Sequence, residues 1–188
     1  MKKNKLKILF IGAGNIAKQH LIVLEKLIDL KYSWICSRTN SKSKKLAQSF
    51  SMKNVEENYE YFIEKNRKNI DGIFILVSSN QIFEVSKKIL KLKLPVFIEK
   101  PPGLNIKELR ELNNLSKKYK TSNLIGYNRR YYSIIQKLKN KLKNETIISA
   151  HVEAHERYWI LKKIVKDKFV LKNWTYVNTS HVLNLLLF

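Results

Sequence analysis

A mostly apolar run over residues 6–11, broken only by Lys7, leads straight into the glycine loop Gly12-Ala13-Gly14, and an amphipathic segment begins directly behind it. No other feature of the sequence narrows the fold so far. The run lacks the alternation of a half-exposed strand and suits one buried on both faces of a parallel sheet. Over residues 15–30, Ile16, His20, Val23, Leu24, Leu27 and Ile28 return at three- and four-residue spacing, the mark of a helix with one face on a core. Strand, glycine turn and helix in that order begin a crossover unit.

The alternation then repeats. Residues 32–36 read as a strand, 41–50 and 56–66 as helices, and 70–78 (IDGIFILVS) as the most strand-like segment of the chain. Residues 81–92 follow as a helix, 95–99 (PVFIE) as a strand, 106–118 as a helix and 123–127 as a short strand. Strands separated by helices pair in parallel through right-handed crossovers, so an α/β fold with a doubly wound sheet is expected. We place this Rossmann-type domain at residues 1–124 and read 125–188 as an incomplete α/β (α+β) substrate and dimerisation domain. The latter supplies one expected strand, residues 147–156 (ISAHVEAHE with its flank), and the start of a helix carrying His181. No repeat or low-complexity linker separates the two.

Composition rules out several classes. With 44% hydrophobic and 28% charged residues, a chain of 188 residues can bury a real core and is neither disordered nor fibrous. The net charge of +22 raises nucleic acid as a partner, but the lysines are spread along almost every segment. That pattern reads as a solvated surface rather than a basic groove, so no nucleic-acid partner is expected. The basic head and apolar start imitate a secretion signal, yet the apolar part is short and Gly12 and Gly14 interrupt it. Neither a targeting segment nor a membrane span is expected, and the location expected is cytoplasmic. Cys36, the single cysteine, excludes an intramolecular disulfide and sits in the apolar run Trp34-Ile35-Cys36, where a buried packing thiol is expected. Trp34, Trp159 and Trp174 read as packing groups, and His151 and His155 as ordinary face residues. No metal site is expected.

The loop Gly12-Ala13-Gly14-Asn15-Ile16-Ala17 carries the first chemistry. Its first glycine permits a tight turn, the second lets a pyrophosphate approach the backbone, and Ala17 allows close helix-on-strand packing. The helix N-terminus offers unpaired N–H groups and the positive end of its dipole, so a dinucleotide is the expected ligand. At the end of the second strand, where an acidic residue would accept ribose hydroxyls, stand Ser37, Arg38 and Thr39. A guanidinium pairs with a 2′-phosphate that a carboxylate would repel, which favours NADP over NAD. A solvated cation in a very basic protein is the other reading of Arg38. The second motif, Glu99-Lys100-Pro101-Pro102, follows a strand, and ligands of open α/β sheets gather at the carboxyl ends of strands.

The ordered motifs GxGxxA, LVSSN, EKPP and Gly126-Tyr127-Asn128-Arg129-Arg130-Tyr131 resemble those of the glucose-fructose oxidoreductase/inositol dehydrogenase/rhizopine catabolism (Gfo/Idh/MocA) family over essentially the whole chain. The resemblance implies an oxidoreductase. Its reaction is reversible hydride transfer between a nicotinamide cofactor and a secondary alcohol of a sugar, cyclitol or nucleotide sugar. It implies Lys100 as the catalytic candidate near the nicotinamide, Pro101 as turn former and Glu99 as an aid to positioning the lysine. The cofactor contacts are then Gly12, Gly14, Asn15, Ile16, Ala17, Ser37, Arg38, Ser78, Asn80, Glu99, Lys100 and Pro101. A lysine works as a base only where burial and positive charge bring its pKa toward neutrality.

The segment around Asn178, Thr179, Ser180 and His181 is similar to the family helix whose His reaches into the site. His181 is thus a second catalytic candidate, and Asn184 stands where an Asp is usual. Val177 occupies the place of another acid, whose role Asn178 could take by a shifted hydrogen bond. Asn128, Arg129, Tyr131, Asn178, His181 and Asn184 are the expected substrate contacts. The family's second domain is built on a large, mostly antiparallel sheet, of which little is expected here. The apolar end around Val182, Leu185, Leu186 and Phe188 therefore leads us to expect a truncated frame, a fragment or a split protein, whose own activity is a separate question from that of a homo-oligomeric full-length form. A non-catalytic nucleotide-binding or regulatory module is the alternative, with a basic nucleic-acid-binding protein as a further one.

Overall fold

The computed structural model describes residues 3–187. Two compact units divide the chain, Met1–Ile125 and Gly126–Phe188.

The first unit is a six-stranded sheet in the order β3-β2-β1-β4-β5-β6, every neighbouring pair parallel. Its strands are β1 (Ile8–Ile11), β2 (Trp34–Cys36), β3 (Lys53–Asn54), β4 (Gly72–Ile75), β5 (Val96–Ile98) and β6 (Asn123–Ile125). Between them lie α1 (Asn15–Leu24), α2 (Asn40–Ser49), α3 (Tyr59–Asn66), α4 (Ser79–Ile89) and α5 (Ile106–Tyr119). The order reverses at β1, with β2 on one side and β4 on the other, which opens a crevice at the carboxyl ends of those strands. This is the doubly wound α/β sheet expected from the sequence.

Two apolar layers hold the sheet. Successive strand residues face opposite sides, so β1 divides its residues between them. Ile8 and Phe10 join Ala17 and Leu21 of α1 and Ala47 of α2, while Leu9 and Ile11 join Phe62 of α3, Ile82 and Ile89 of α4 and Leu112 of α5. Leu9, Phe10, Leu21, Ile35 and Ile75 are completely buried. Each contributes about 1.5–3 kcal/mol by leaving water. Buried Ser33 ties the lead of β1 down, accepting from the Ile8 N–H and donating to the Leu6 carbonyl.

Several boundaries differ from expectation for definable reasons. Helix α1 stops at Leu24 instead of reaching Leu30, and the backbone of residues 27–29 pairs with Asn4 instead of continuing the helix. Asn4 bonds Leu27 and Asp29, and the Asp29 side chain accepts from Lys31 N–H to start a short 3-10 turn. Strand β4 ends at Ile75, since Ser78 already precedes α4. Helix α3 starts only at Tyr59, where Asn58 accepts from the Glu60 N–H at 2.7 Å. The edge strand β3 was not expected at all. It is polar, and its backbone recruits it: Lys53 N–H donates to Ser33 and Val55 N–H to Ile35.

Cys36 is buried at the end of β2, its thiol 3.6 Å from the Phe10 carbonyl, and desolvation pushes its pKa up to about 12. Because burial penalises the thiolate, folding is unaffected by this group at neutral pH and loses stability as pH rises from the free-thiol value of about 8.5 toward the folded value. Native protein at pH 8 is therefore expected to leave Cys36 unmodified by a disulfide reagent until denaturant is added. Reaction at the denatured rate without denaturant would contradict this.

The second unit contains α6 (Ser133–Leu142), α7 (Tyr158–Ile164), α8 (Lys168–Lys172), a π turn (Thr175–Thr179), α9 (Ser180–Leu183) and a 3-10 turn (Asn184–Leu187). Here the expected strand over residues 147–156 is corrected: the segment has no regular structure. A strand needs a partner for its backbone groups, and no second strand of this unit exists among the described residues. Trp159 is also corrected, being 68% exposed rather than packed. Trp34 does pack, edge-on to Phe62, and Trp174 is half-buried. Among the apolar end residues Leu186 is exposed and Val182 and Leu185 are half-buried, whereas Phe188 lies outside the described residues. No helix among the described residues is long and apolar enough to cross a membrane.

Candidate functional site

The glycine loop turns the chain from β1 into α1 at the crevice. Gly12 has φ +113°, and a Cβ there would lie 2.5 Å from the carbonyl carbon and oxygen of Leu76. Only glycine fits both the conformation and the approach. Its N–H donates to the Cys36 carbonyl at 2.8 Å, so the loop also bridges to β2. Gly14 differs: it precedes α1 in extended conformation, and a Cβ there would meet nothing within 4 Å. Its open face borders a cleft of about 280 Å³. Asn15 begins α1, Ile16 is half-exposed along the cleft and Ala17 is fully buried against the sheet.

Gly12, Gly14, Ile16, Ser37, Arg38 and Ser78 all line this cleft. Thr39, Lys42 and Gln81 line it too. Sequence reading passed over Lys42 and Gln81; in a lysine-rich stretch nothing distinguished Lys42 from its neighbours. Ser37 Oγ donates to the Thr39 carbonyl at 2.7 Å, so its proton is engaged and a ligand there meets its lone pairs. An adjoining cavity of about 500 Å³ is lined by Ser37, Arg38, Tyr59, Asn80 and Gln81 among others. Ser78 Oγ donates to Asn80 Oδ1 at 2.7 Å. The tip of β2 thus presents Arg38 to both spaces.

Glu99, Lys100 and Pro101 leave the end of β5, and the Lys100–Pro101 peptide is cis. Glu99 is 7% exposed. One of its oxygens accepts from the Lys100 N–H at 3.0 Å, and the other lies 2.8 Å from Nε2 of His20 on α1. His20 is edge-on to Phe97 and Phe74. The periodicity that assigned His20 to an apolar helix face could not show this partner. Beyond the turn, Asn105 and Glu108 cap α5 reciprocally: Asn105 Oδ1 accepts from Glu108 N–H, and Glu108 accepts from Leu104 N–H and the Asn105 amide.

In the second unit His181 is buried on α9, with the Tyr127 ring edge-on at 5.7 Å. Asn128, Arg129 and Tyr131 lie in one 3-10 turn, where Tyr131 is 61% exposed. Arg130, of the same turn, donates through Nε to Asn184 Oδ1. Asn178 and Thr179 both donate to Glu156 at 3.0 Å. Burial opposes ionisation of Glu156, but the nearby Trp174 indole, the hydrogen bonds from Asn178 and Thr179 and the charge of Arg129 outweigh it and hold its pKa below the usual carboxylate range. Nothing in the sequence marks Glu156, which ends an alternating run that suits an ordinary strand. His151 and His155 are exposed and both contact Glu153. No cluster of three His, Cys, Asp or Glu side chains among the described residues could hold a metal ion.

A parallel sheet with a glycine turn, a helix N-terminus and a cleft at its order reversal defines a dinucleotide-binding fold. The chain belongs to the Gfo/Idh/MocA oxidoreductase family, whose NAD-binding Rossmann-fold model matches residues 6–127. It is 26% identical over 170 residues to the uncharacterized oxidoreductase YrbE of Bacillus subtilis, covering 90% of this chain and 47% of that protein. To the myo-inositol 2-dehydrogenase of Thermotoga maritima it is 26% identical over 147 residues, covering 78% of this chain and 43% of the relative. The chain therefore spans less than half the length of either. Among solved structures, the WlbA dehydrogenase of Chromobacterium violaceum in complex with NADH and UDP-GlcNAcA has the same fold, with TM-score 0.64 and 17% identity over 77% of this chain and 41% of that one.

Proposed function

We propose that the chain binds NADP(H) in preference to NAD(H) and carries the cofactor half of an oxidoreductase acting on a secondary alcohol of a sugar, cyclitol or nucleotide sugar. The observation that carries this reading is the single cleft lined by the glycine loop and by Ser37, Arg38 and Lys42. Two cations beside the ribose end suit a phosphate, and the open face of Gly14 suits a pyrophosphate. Bound there, the nicotinamide dinucleotide supplies the hydride acceptor or donor. Gly12, Gly14, Asn15, Ile16 and Ala17 hold its phosphates, and Ser37, Arg38, Ser78 and Asn80 its adenosine side. Lys100 moves the proton of the substrate hydroxyl, supported by Glu99 and Pro101. His181 shares that work, with Asn128, Arg129, Tyr131, Asn178 and Asn184 orienting substrate. Sugar-type substrates are supported by what two relatives are, a myo-inositol 2-dehydrogenase and a dehydrogenase holding a nucleotide sugar.

The test is fluorescence titration with NADPH and NADH in the parent chain and in Arg38→Asp. NADPH is expected to bind the parent at least about tenfold more tightly, since a charge-assisted contact contributes about 1.5–3 kcal/mol. Arg38→Asp should reverse the order. Equal affinities in the parent would overturn the preference, and no binding of either cofactor would overturn the reading as a whole.

A further inference from the structure

The His20–Glu99 contact spans two elements far apart in sequence, and the function described above makes no use of His20. Glu99 is nearly buried, and burying a carboxylate without partners is costly. Two groups satisfy it here, the His20 ring at 2.8 Å and the Lys100 N–H at 3.0 Å, one on each oxygen. Phe97 and Phe74, stacked on each other, pack against one side of the ring with centroids 5.1 and 6.1 Å distant, which limits how it can turn. His20 also lies on the helix whose first turn follows Gly14. One side chain thereby joins the phosphate-facing helix to the backbone of the lysine turn.

We propose that His20 is a positioning residue: through Nε2 it fixes the Glu99 carboxylate, which holds the Lys100 N–H and so sets where the Lys100 side chain begins. The donor to Glu99 is then the Nε2–H tautomer or the protonated ring. A carboxylate rotated out of place would free the Lys100 amide, and the lysine turn would lose its anchor to α1. The importance of this for turnover rests on the proposed role of Lys100, whereas the linkage itself does not.

The experiment therefore reads the linkage directly in the free protein. Amide hydrogen exchange and the Lys100 N–H chemical shift are measured by NMR in the parent, His20→Ala and His20→Gln. The His20 tautomer is read from long-range nitrogen correlations among the four histidines. Exchange at Lys100 should quicken by about tenfold or more in His20→Ala, the factor for losing a bond to a charged group. Glutamine can place an amide near the Nε2 position, so His20→Gln should restore at least half of the protection. Circular dichroism confirms that each variant folds. Unchanged Lys100 exchange in a folded His20→Ala, or Nε2 of His20 found unprotonated in the parent, would overturn the proposal. So would equal loss in the alanine and glutamine variants. A parallel NADPH titration keeps the two questions apart: absence of binding by the parent overturns the proposed function, while the Lys100 amide still decides the role of His20.

Discussion

Gly12→Ala is expected to destabilise the first unit by about 3 kcal/mol or more, the range of a core clash combined with backbone strain. The added Cβ would lie 2.5 Å from two backbone atoms of Leu76 and 2.8 Å from the nitrogen of Val77. Backbone cannot rotate away as a side-chain end can. Relief would require β1 and β4 to part just where Leu76 N–H donates to the Ile11 carbonyl. The positive φ adds a cost that no rearrangement of neighbours removes. Gly14→Ala makes the informative contrast, because its Cβ meets nothing within 4 Å. Its stability should stay within about 1 kcal/mol of the parent. NADPH affinity should nevertheless fall about tenfold or more, since the methyl group would stand where the pyrophosphate approaches the backbone. Urea unfolding and NADPH titration on both variants check the pair. An unchanged midpoint for Gly12→Ala would show that the strands part there without cost, and parental affinity in Gly14→Ala would remove the pyrophosphate from this loop.

The sheet was legible because both of its faces are buried. β1, β2, β4 and β5 had to be apolar on successive residues, and those runs stand out between helical periods. Where an element depends on partners instead of its own pattern, the reading failed. β3 is a polar edge defined by backbone bonds to β2, and past α1 the backbone pairs with Asn4 instead of continuing the helix. In the second unit the opposite error occurred. The alternation in ISAHVEAHE suggested a strand, but without a neighbour it forms none. Helix α6 could have been found from Ile134, Leu138 and Leu142 at four-residue spacing.

The candidate site divides in the same way. The glycine loop was readable because its chemistry lies in consecutive residues between two recognisable elements. The place of Arg38 on the cleft wall was readable because the end of β2 is a known position on such a sheet. Lys42, His20 and Glu156 were not. Each acquires its place from residues distant in sequence: the cleft wall for Lys42, Glu99 for His20, and Asn178 and Thr179 for Glu156. Periodicity records which face a side chain occupies but not what waits there. His20 shows the difference, since a histidine packed against a stacked pair of phenylalanines reads as core until its ring nitrogen is found against a carboxylate.

In a form extended to the full length of the curated relatives, Lys100→Met is expected to lower turnover about a hundredfold or more, the usual loss when a general acid or base is removed. Two groups at the end of β5 could carry a proton, Glu99 and Lys100. Glu99 is a poor choice, because both of its oxygens are already engaged, by His20 and by the Lys100 N–H. A proton taken up there would weaken the anchor of the turn. Methionine keeps an unbranched apolar stem of similar length, so the substitution removes the ammonium while disturbing packing little. NADPH affinity should accordingly stay within about threefold of the parent, because the phosphate contacts proposed above lie on the glycine loop and not at Lys100. Lys100→Arg sharpens the test: it keeps the positive charge, but a guanidinium does not give up its proton near neutrality, so its turnover should also fall. The assay follows nicotinamide absorbance with a panel of cyclitols, sugars and nucleotide sugars. If Lys100→Met retains turnover within a few-fold of the parent, the proton carrier lies elsewhere, and His181→Asn becomes the variant to measure.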